Sequence, residues 1–221
     1  MKRNKANKAE PAGRKDIARI REQQIIEAAI NVIGRKGLSG TTLGLVAEEA
    51  GMGYGNLTFR FKSKDELLIR ALRSVADEYT EARDSAAGVA GQSPAARLDL
   101  MLAACFHRRV TSQKKVALWW AFLSECHINP KYGRIIAELR AGEYKQMKQI
   151  FDEIIAGGAY SGHDSRLLAI SINALIEGLW SAMRGGPQAI DSAEALAAAR
   201  QYLRAVFPEE FRHYGGRNKA A

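Results

Sequence analysis

Residues 41–66, TTLGLVAEEAGMGYGNLTFRFKSKDE, decide the fold. Thr41 or Thr42 can cap a short helix, because Leu43, Val46, Ala47 and Ala50 recur at the spacing of one apolar helical stripe. Gly51-Met52-Gly53 stops that helix, and a stubby second one with little apolar content, Tyr54 to about Phe59, follows at once. Helices joined by so tight a turn cross steeply. Ser63-Lys64-Asp65-Glu66 then has the form of a capping box, in which the Ser63 hydroxyl accepts the Glu66 backbone N–H and the Glu66 carboxylate accepts that of Ser63. It opens a long helix with Leu68, Leu72, Val75 and Tyr79 on one face. Two packed helices with an ordinary solvated face would account for each feature singly. The conjunction predicts a helix-turn-helix.

Upstream, a first helix is expected from about Arg14 to Ile33, with Ile26, Ala29 and Ile33 on one stripe and Gly34 and Gly37 as stop signals. Downstream, punctuation at Gly88 to Pro94, Asn129-Pro130, Gly157 through Gly162 and Gly185-Gly186-Pro187 separates five more helices. These run roughly 94–109, 114–127, 130–156, 164–184 and 192–207. No strand pattern or internal repeat appears, so the fold class is all-α with about nine helices. The first 13 residues, MKRNKANKAEPAG, are polar and basic and are expected to be a disordered arm.

Charge is unevenly placed. Residues 1–73 carry 15 Lys or Arg against 8 Asp or Glu, and the rest of the chain 18 against 16, within a formal charge of +9. A basic end of this kind favours a polyanion, since each phosphate neutralised releases condensed counterions. Nucleic acid is the first candidate and a membrane surface the second. The absence of a long apolar run or signal-peptide core argues against the membrane and predicts a cytoplasmic protein. Cys105 and Cys126 sit apart among apolar helical residues and read as buried free thiols.

An enzyme is poorly supported. There is no P-loop, nucleophile elbow or zinc-ligand spacing, and Gly51, Gly53 and Gly55 follow a helix instead of the strand a dinucleotide fold requires. His107, His127, His163 and His213 are scattered. The reading is therefore no catalytic residues, no cofactor and no metal.

From Gln24 to Leu68, through AAINVIGRKGLSGTTLGLVAEEAGMGYGNLTFRFKSKDELL, the chain resembles the TetR family of transcriptional regulators at its small residues, double Thr, Ala-Gly turn, Leu57, Phe61 and Ser63-Lys64. The resemblance implies a homodimer on near-palindromic double-stranded operator DNA. It places Tyr54, Gly55 and Asn56 at base edges, with Asn56 suited to bidentate reading of adenine, and Thr42, Thr58, Arg60 and Lys64 on phosphates. Lys64 also begins a helix, where the backbone favours an anion, and Gly55 permits close approach to the duplex. The family usually has an aromatic residue in place of Thr58 and often His in place of Arg60. Arm residues Lys2, Arg3, Lys5 and Lys8 either add DNA contacts or form a solubilising tail.

The implied organisation is an arm at 1–13, a helix-turn-helix domain at 14–67, a ligand-binding and dimerisation domain at 68–212 and a tail at 213–221. In the second domain, Leu168, Ile172, Leu175 and Leu179 form one apolar face of a helix and Ile176, Trp180 and Met183 another. The last helix adds Leu196, Leu203 and Phe207, and the family pairs these two helices with a second copy.

Along VALWWAFLSECH, Trp119, Phe122 and Cys126 share one face and Val116, Trp120, Leu123 and His127 the other. Asn173, Glu177, Trp180 and Arg184 share a stripe, so Glu177 is paired either with Arg184, with another side chain, or with a cationic ligand on Trp180. ALWWAFLSECHINPKYGRI and ALIEGLW resemble the C-terminal domain of BetI-type regulators of the family. That implies a quaternary-ammonium inducer such as choline, with Trp119, Trp120, Phe122, Glu177 and Trp180 as candidate contacts. The alternatives are a DNA-binding architectural dimer that senses nothing and an activator of the same fold. The expected mechanism is a population shift in which ligand changes the pose of the long fourth helix.

Overall fold

The computed structural model describes residues 13–89, 91–158, 160–184 and 189–214, and among them the chain forms nine helices and no strand. The basic arm, with Lys2, Arg3, Lys5 and Lys8, and the Gly185-Gly186-Pro187 break lie outside the described residues. The helices are α1 (Arg14–Gly40), α2 (Leu43–Glu49), α3 (Tyr54–Arg60), α4 (Lys64–Ala87), α5 (Pro94–Cys105), α6 (Gln113–Glu125), α7 (Pro130–Gly157), α8 (Ser165–Ala182) and α9 (Ser192–Val206).

Helix starts follow local chemistry. Ser93 and Asn129 cap α5 and α7, each followed by Pro, which lacks an N–H the first turn could not have satisfied. Asp164 caps α8, and Asp191 with Glu194 forms a full capping box on α9. At α4 the Ser63 hydroxyl does accept the Glu66 N–H at 3.1 Å, but the Glu66 carboxylate takes the N–H of Lys62, at 2.8 Å, in place of Ser63. The box is thus shifted by one residue on its return bond.

Two expectations change. Helix α1 does not stop at Gly34 but at the second stop signal, Gly37, whose non-helical backbone with a φ of 70° interrupts it before a last turn to Gly40. Gly34 serves packing instead: a Cβ there would stand 3.0 Å from Cβ of Lys114, so the missing side chain lets α6 press against α1. Helix α5 ends at Cys105, about a turn early, and the chain beyond it turns Phe106, Val110 and Thr111 inward. Of the two candidate caps for α2, Thr42 is the one used; Thr41 is fully buried and donates its hydroxyl to the Gly37 carbonyl at 2.7 Å.

Burial links the halves of the chain. Ile25, Ala29, Ile30 and Ile33 of α1 pack with Val46, Leu57 and Phe61 around the base of α4 at Leu67, Leu68 and Leu72. Farther along α4, Val75 and Tyr79 join Leu98, Met101 and Leu102 of α5, Trp119 and Phe122 of α6, Ile150 and Phe151 of α7, Ile176 and Trp180 of α8 and Leu203 of α9. Both thiols are free; Cys105 is buried, whereas Cys126 is only half-buried.

Candidate functional site

The first candidate site is the outer side of α2 and α3. Leu57 is fully buried and pins α3 to the core, while Tyr54, Gly55 and Asn56 face outward, Tyr54 being 57% exposed. The positive φ of Gly51 makes the turn that aims α3. Gly55 has no such need: its backbone is ordinary and a Cβ there would meet nothing within 4 Å.

The four residues expected on phosphates differ in what already holds them. The Thr42 oxygen accepts the Leu45 N–H at 3.2 Å, which leaves its hydroxyl proton free to donate outward. Thr58 turns its hydroxyl back to the carbonyls of Tyr54 and Gly55, at 3.2 and 3.3 Å. Arg60 donates through Nη1 to the Ala18 carbonyl at 3.1 Å, tying α3 to the start of α1, and Lys64 donates to the Ser39 carbonyl at 3.2 Å. Arg60 and Lys64 each keep further donors. Phe59, the aromatic next to Thr58, is 77% exposed on the same helix, with the Lys62 ammonium 5.4 Å from its ring centre.

The second candidate site is a small cavity between α4, α6, α7 and α8. Trp180 meets Tyr79 edge-on at 5.2 Å between ring centres and Trp119 at 6.5 Å. The Trp180 indole N–H donates to the Cys105 carbonyl at 3.1 Å, which fixes the ring. Asn173, Glu177, Glu143 and Lys115 supply the polar lining. Of the residues expected at a ligand, Trp119, Glu177 and Trp180 are brought together here. Trp120 and Phe122 lie outside this lining; Phe122 is fully buried against Tyr132, 4.8 Å away, and Trp120 is half-buried. Val116 and Trp119, assigned to different faces by spacing, both line the cavity.

Glu177 has its partner within the chain. Arg140 of α7 grips it with bonds of 2.7, 2.9 and 3.1 Å, so Arg184 is not the counter-ion. The deeper carboxylate is Glu143, 9% exposed and 3.1 Å from Arg83, itself 2% exposed. Burial pushes the Glu143 carboxyl above its ordinary range, and Arg83 works against that rise. Burial likewise pushes the Cys105 thiol, beside the Tyr79 hydroxyl at 3.4 Å, up to about 12, so it stays protonated.

Comparison with known proteins bears on both sites. Residues 25–71 match the family described as bacterial regulatory proteins, tetR family, and residues 94–208 match the BetI-type transcriptional repressor C-terminal domain. The HTH-type transcriptional regulator BetI of Burkholderia thailandensis is 31% identical over 188 residues, 83% of this chain and 92% of that relative. The chain belongs to the TetR family, with a BetI-type C-terminal domain. It is a helix-turn-helix, DNA-binding transcriptional regulator.

BetI of Paraburkholderia xenovorans is also 31% identical to the regulator, over 186 residues, 83% of this chain and 92% of that one. In fold, a proposed transcriptional regulator from Pseudomonas aeruginosa PAO1 superposes with a TM-score of 0.76 at 20% identity, covering 88% of this chain and 94% of its own. Another, from Saccharomonospora viridis and solved in complex with choline, gives 0.72 at 18% identity, covering 85% and 96%. Among the regulator's described residues no helix is long and apolar enough to cross a membrane.

Tyr79, Lys115 and Glu143 are cavity residues that motif reading missed. Tyr79 lies on the buried stripe of α4, a position that gives no hint of the cavity. Glu143 did leave a signal, because it interrupts the apolar stripe of α7 between Leu139 and Met147, just as Arg83 interrupts that of α4 one turn after Tyr79. A charge on each of two core stripes marks a buried pair.

Proposed function

We propose that this regulator is a homodimeric repressor that leaves its operator when a small cation enters the cavity of the C-terminal domain. The division of labour follows residues 14–67 as reader and 68–212 as sensor and dimer domain. What carries the ligand reading is the set of three rings, Tyr79, Trp119 and Trp180, about one cavity; aromatic faces attract a poorly hydrated cation such as a quaternary ammonium. The choline bound in the neighbouring fold makes choline the first compound to try. Calorimetry with choline and betaine aldehyde is expected to detect binding to the wild type. Trp180→Ala should weaken it about 5- to 30-fold, the equivalent of losing a desolvated ring contact of about 1–2 kcal/mol. No heat with the wild type would end the cation reading.

Dimerisation is supported by the outward face of α8. Leu167 and Ile170 are 54% and 45% exposed there, beside the exposed Ser171, Ala174, Gly178 and Ser181, and no charged residue falls among them. The exposed side of α9 carries Ala193, Ala197, Ala198 and Ala205, with Glu194 and Gln201 among them. Such faces suit close helix packing between copies.

Transmission has two routes. Helix α4 runs unbroken from Lys64, beside the reader, to Tyr79 at the cavity. Helix α6 carries Trp119 at the cavity and Lys114 on the reader, where the Lys114 ammonium binds Glu27 and Asn31 of α1. Ligand favouring one pose of α4 and α6 shifts the readers by its difference in affinity for the two poses.

On the reader, Tyr54, Gly55 and Asn56 meet base edges and Thr42, Thr58, Arg60 and Lys64 meet backbone. Gly55→Ala separates these demands from stability. A methyl group has room in the free chain, and replacing a helical glycine is worth about 0.5–1 kcal/mol, so the variant should melt about 1–4 °C higher. The same methyl should weaken operator binding. Unchanged binding would show that the backbone does not approach the duplex there.

A further inference from the structure

Each carboxylate around the cavity already has a cationic partner inside the chain. Glu143 has Arg83 at 3.1 Å, Glu177 has Arg140, and Glu78, behind the cavity wall, has Lys115 at 2.5 Å and Arg109 at 2.9 Å. A simple monocation entering this space would bring a charge with no counter-ion left to meet it, a costly arrangement in an aromatic enclosure. The wall meanwhile holds donors in want of an acceptor. The Trp119 indole N–H is buried and has no partner among the described residues. Lys115, one helical turn before Trp119 and 11% exposed, spends two of its three N–H groups on Glu78 and the Arg109 carbonyl. Asn173 adds an amide from α8. Buried donors are normally bonded to protein or to ordered water, and an acceptor on a molecule in the cavity would supply the partner that Trp119 lacks within the chain.

From this balance we infer that the effector is a zwitterion, a quaternary-ammonium carboxylate, with its ammonium head on Trp180 and Tyr79 and its carboxylate accepting from Trp119 Nε1 and Lys115. This narrows, and rests on, the aromatic-cation reading above. The ligand then carries its own counter-charge into the cavity, and its carboxylate satisfies the orphaned indole. Choline offers only a hydroxyl at that end.

The test is calorimetry on the full chain with choline, trimethylglycine and 4-trimethylammoniobutyrate, two carboxylates of different reach. At least one carboxylate is expected to bind about tenfold or more tightly than choline, as hydrogen bonds to a charged group imply. Trp119→Phe keeps a ring but removes the donor, and should weaken the better carboxylate about tenfold more than it weakens choline. Lys115→Met, which leaves Glu78 its Arg109 partner, serves the same comparison if Trp119→Phe loses its helical circular-dichroism signal. Choline binding as tightly as both carboxylates would overturn the zwitterion and leave the aromatic site standing. An advantage that survives both substitutions would overturn the assignment of the carboxylate end. Heat from none of the three compounds would remove the cation reading and the zwitterion with it.

Discussion

Arg83→Met is expected to destabilise the regulator by about 3–5 kcal/mol at neutral pH, because it leaves the Glu143 carboxylate buried and alone. Arg83 is 2% exposed, lies over the Tyr79 ring at 5.3 Å, bonds Gln146 through Nε at 2.8 Å, and stands 3.1 Å from Glu143. The loss has a pH signature. The folded Glu143 carboxyl already holds its proton more tightly than the ordinary value of 4.5, chiefly through burial. A group raised in this way costs the fold stability as pH climbs from the unfolded value through the folded one. Removing Arg83 raises the folded value further and widens that interval. The deficit against wild type should therefore be smallest near pH 4.5 and grow toward neutrality, reaching a fall in melting temperature of about 10 °C. Glu143→Gln in the Arg83→Met background should recover much of the loss at neutral pH. Simple addition of the two single losses would show that the charges do not act as a pair.

Asn56→Ala is expected to weaken binding to the operator about 10- to 100-fold, the equivalent of about 1–3 kcal/mol for one bidentate base contact, with little effect on unrelated DNA. The Asn56 side chain is exposed on α3, so its loss should leave stability within about 0.5 kcal/mol. Lys64→Ala should behave differently, weakening all sequences alike and lowering the salt slope by about one, as a phosphate contact does. Electrophoretic or anisotropy titrations on operator and scrambled duplexes separate the two patterns. Equal weakening on both duplexes would move Asn56 from base to backbone.

The features legible in the sequence are those set by neighbours within a turn or two. Thr42 and Ser63 mark helix starts by bonds that span three residues, Pro94 marks one by the N–H it lacks, and the stripe of Leu68, Leu72, Val75 and Tyr79 marks a buried face. Gly34 has the sequence look of a stop, because glycine is common where helices end. Its reason is Lys114, which folding brings from eighty positions along the chain. The same distance hid the counter-ion of Glu177: Arg184 shares its helical stripe, whereas Arg140 arrives on α7. Spacing also divided α6 into two faces that the cavity does not respect, since Val116 and Trp119 reach it from neighbouring positions around the helix. The grouping of Tyr79, Glu143 and Trp180 belongs to the packing of three helices and to none of them alone.

The most direct measurement of the central claim is fluorescence anisotropy of the protein on the DNA upstream of its own gene, at two salt concentrations, with and without an effector that calorimetry has shown to bind. Tight binding of two chains to a two-fold-symmetric site, weakened by salt through counterion release and weakened again by the effector, is the predicted result. Specific binding that the effector leaves unchanged would contradict the coupling of cavity to reader, and failure to prefer that DNA over a scrambled duplex would contradict regulation from that site.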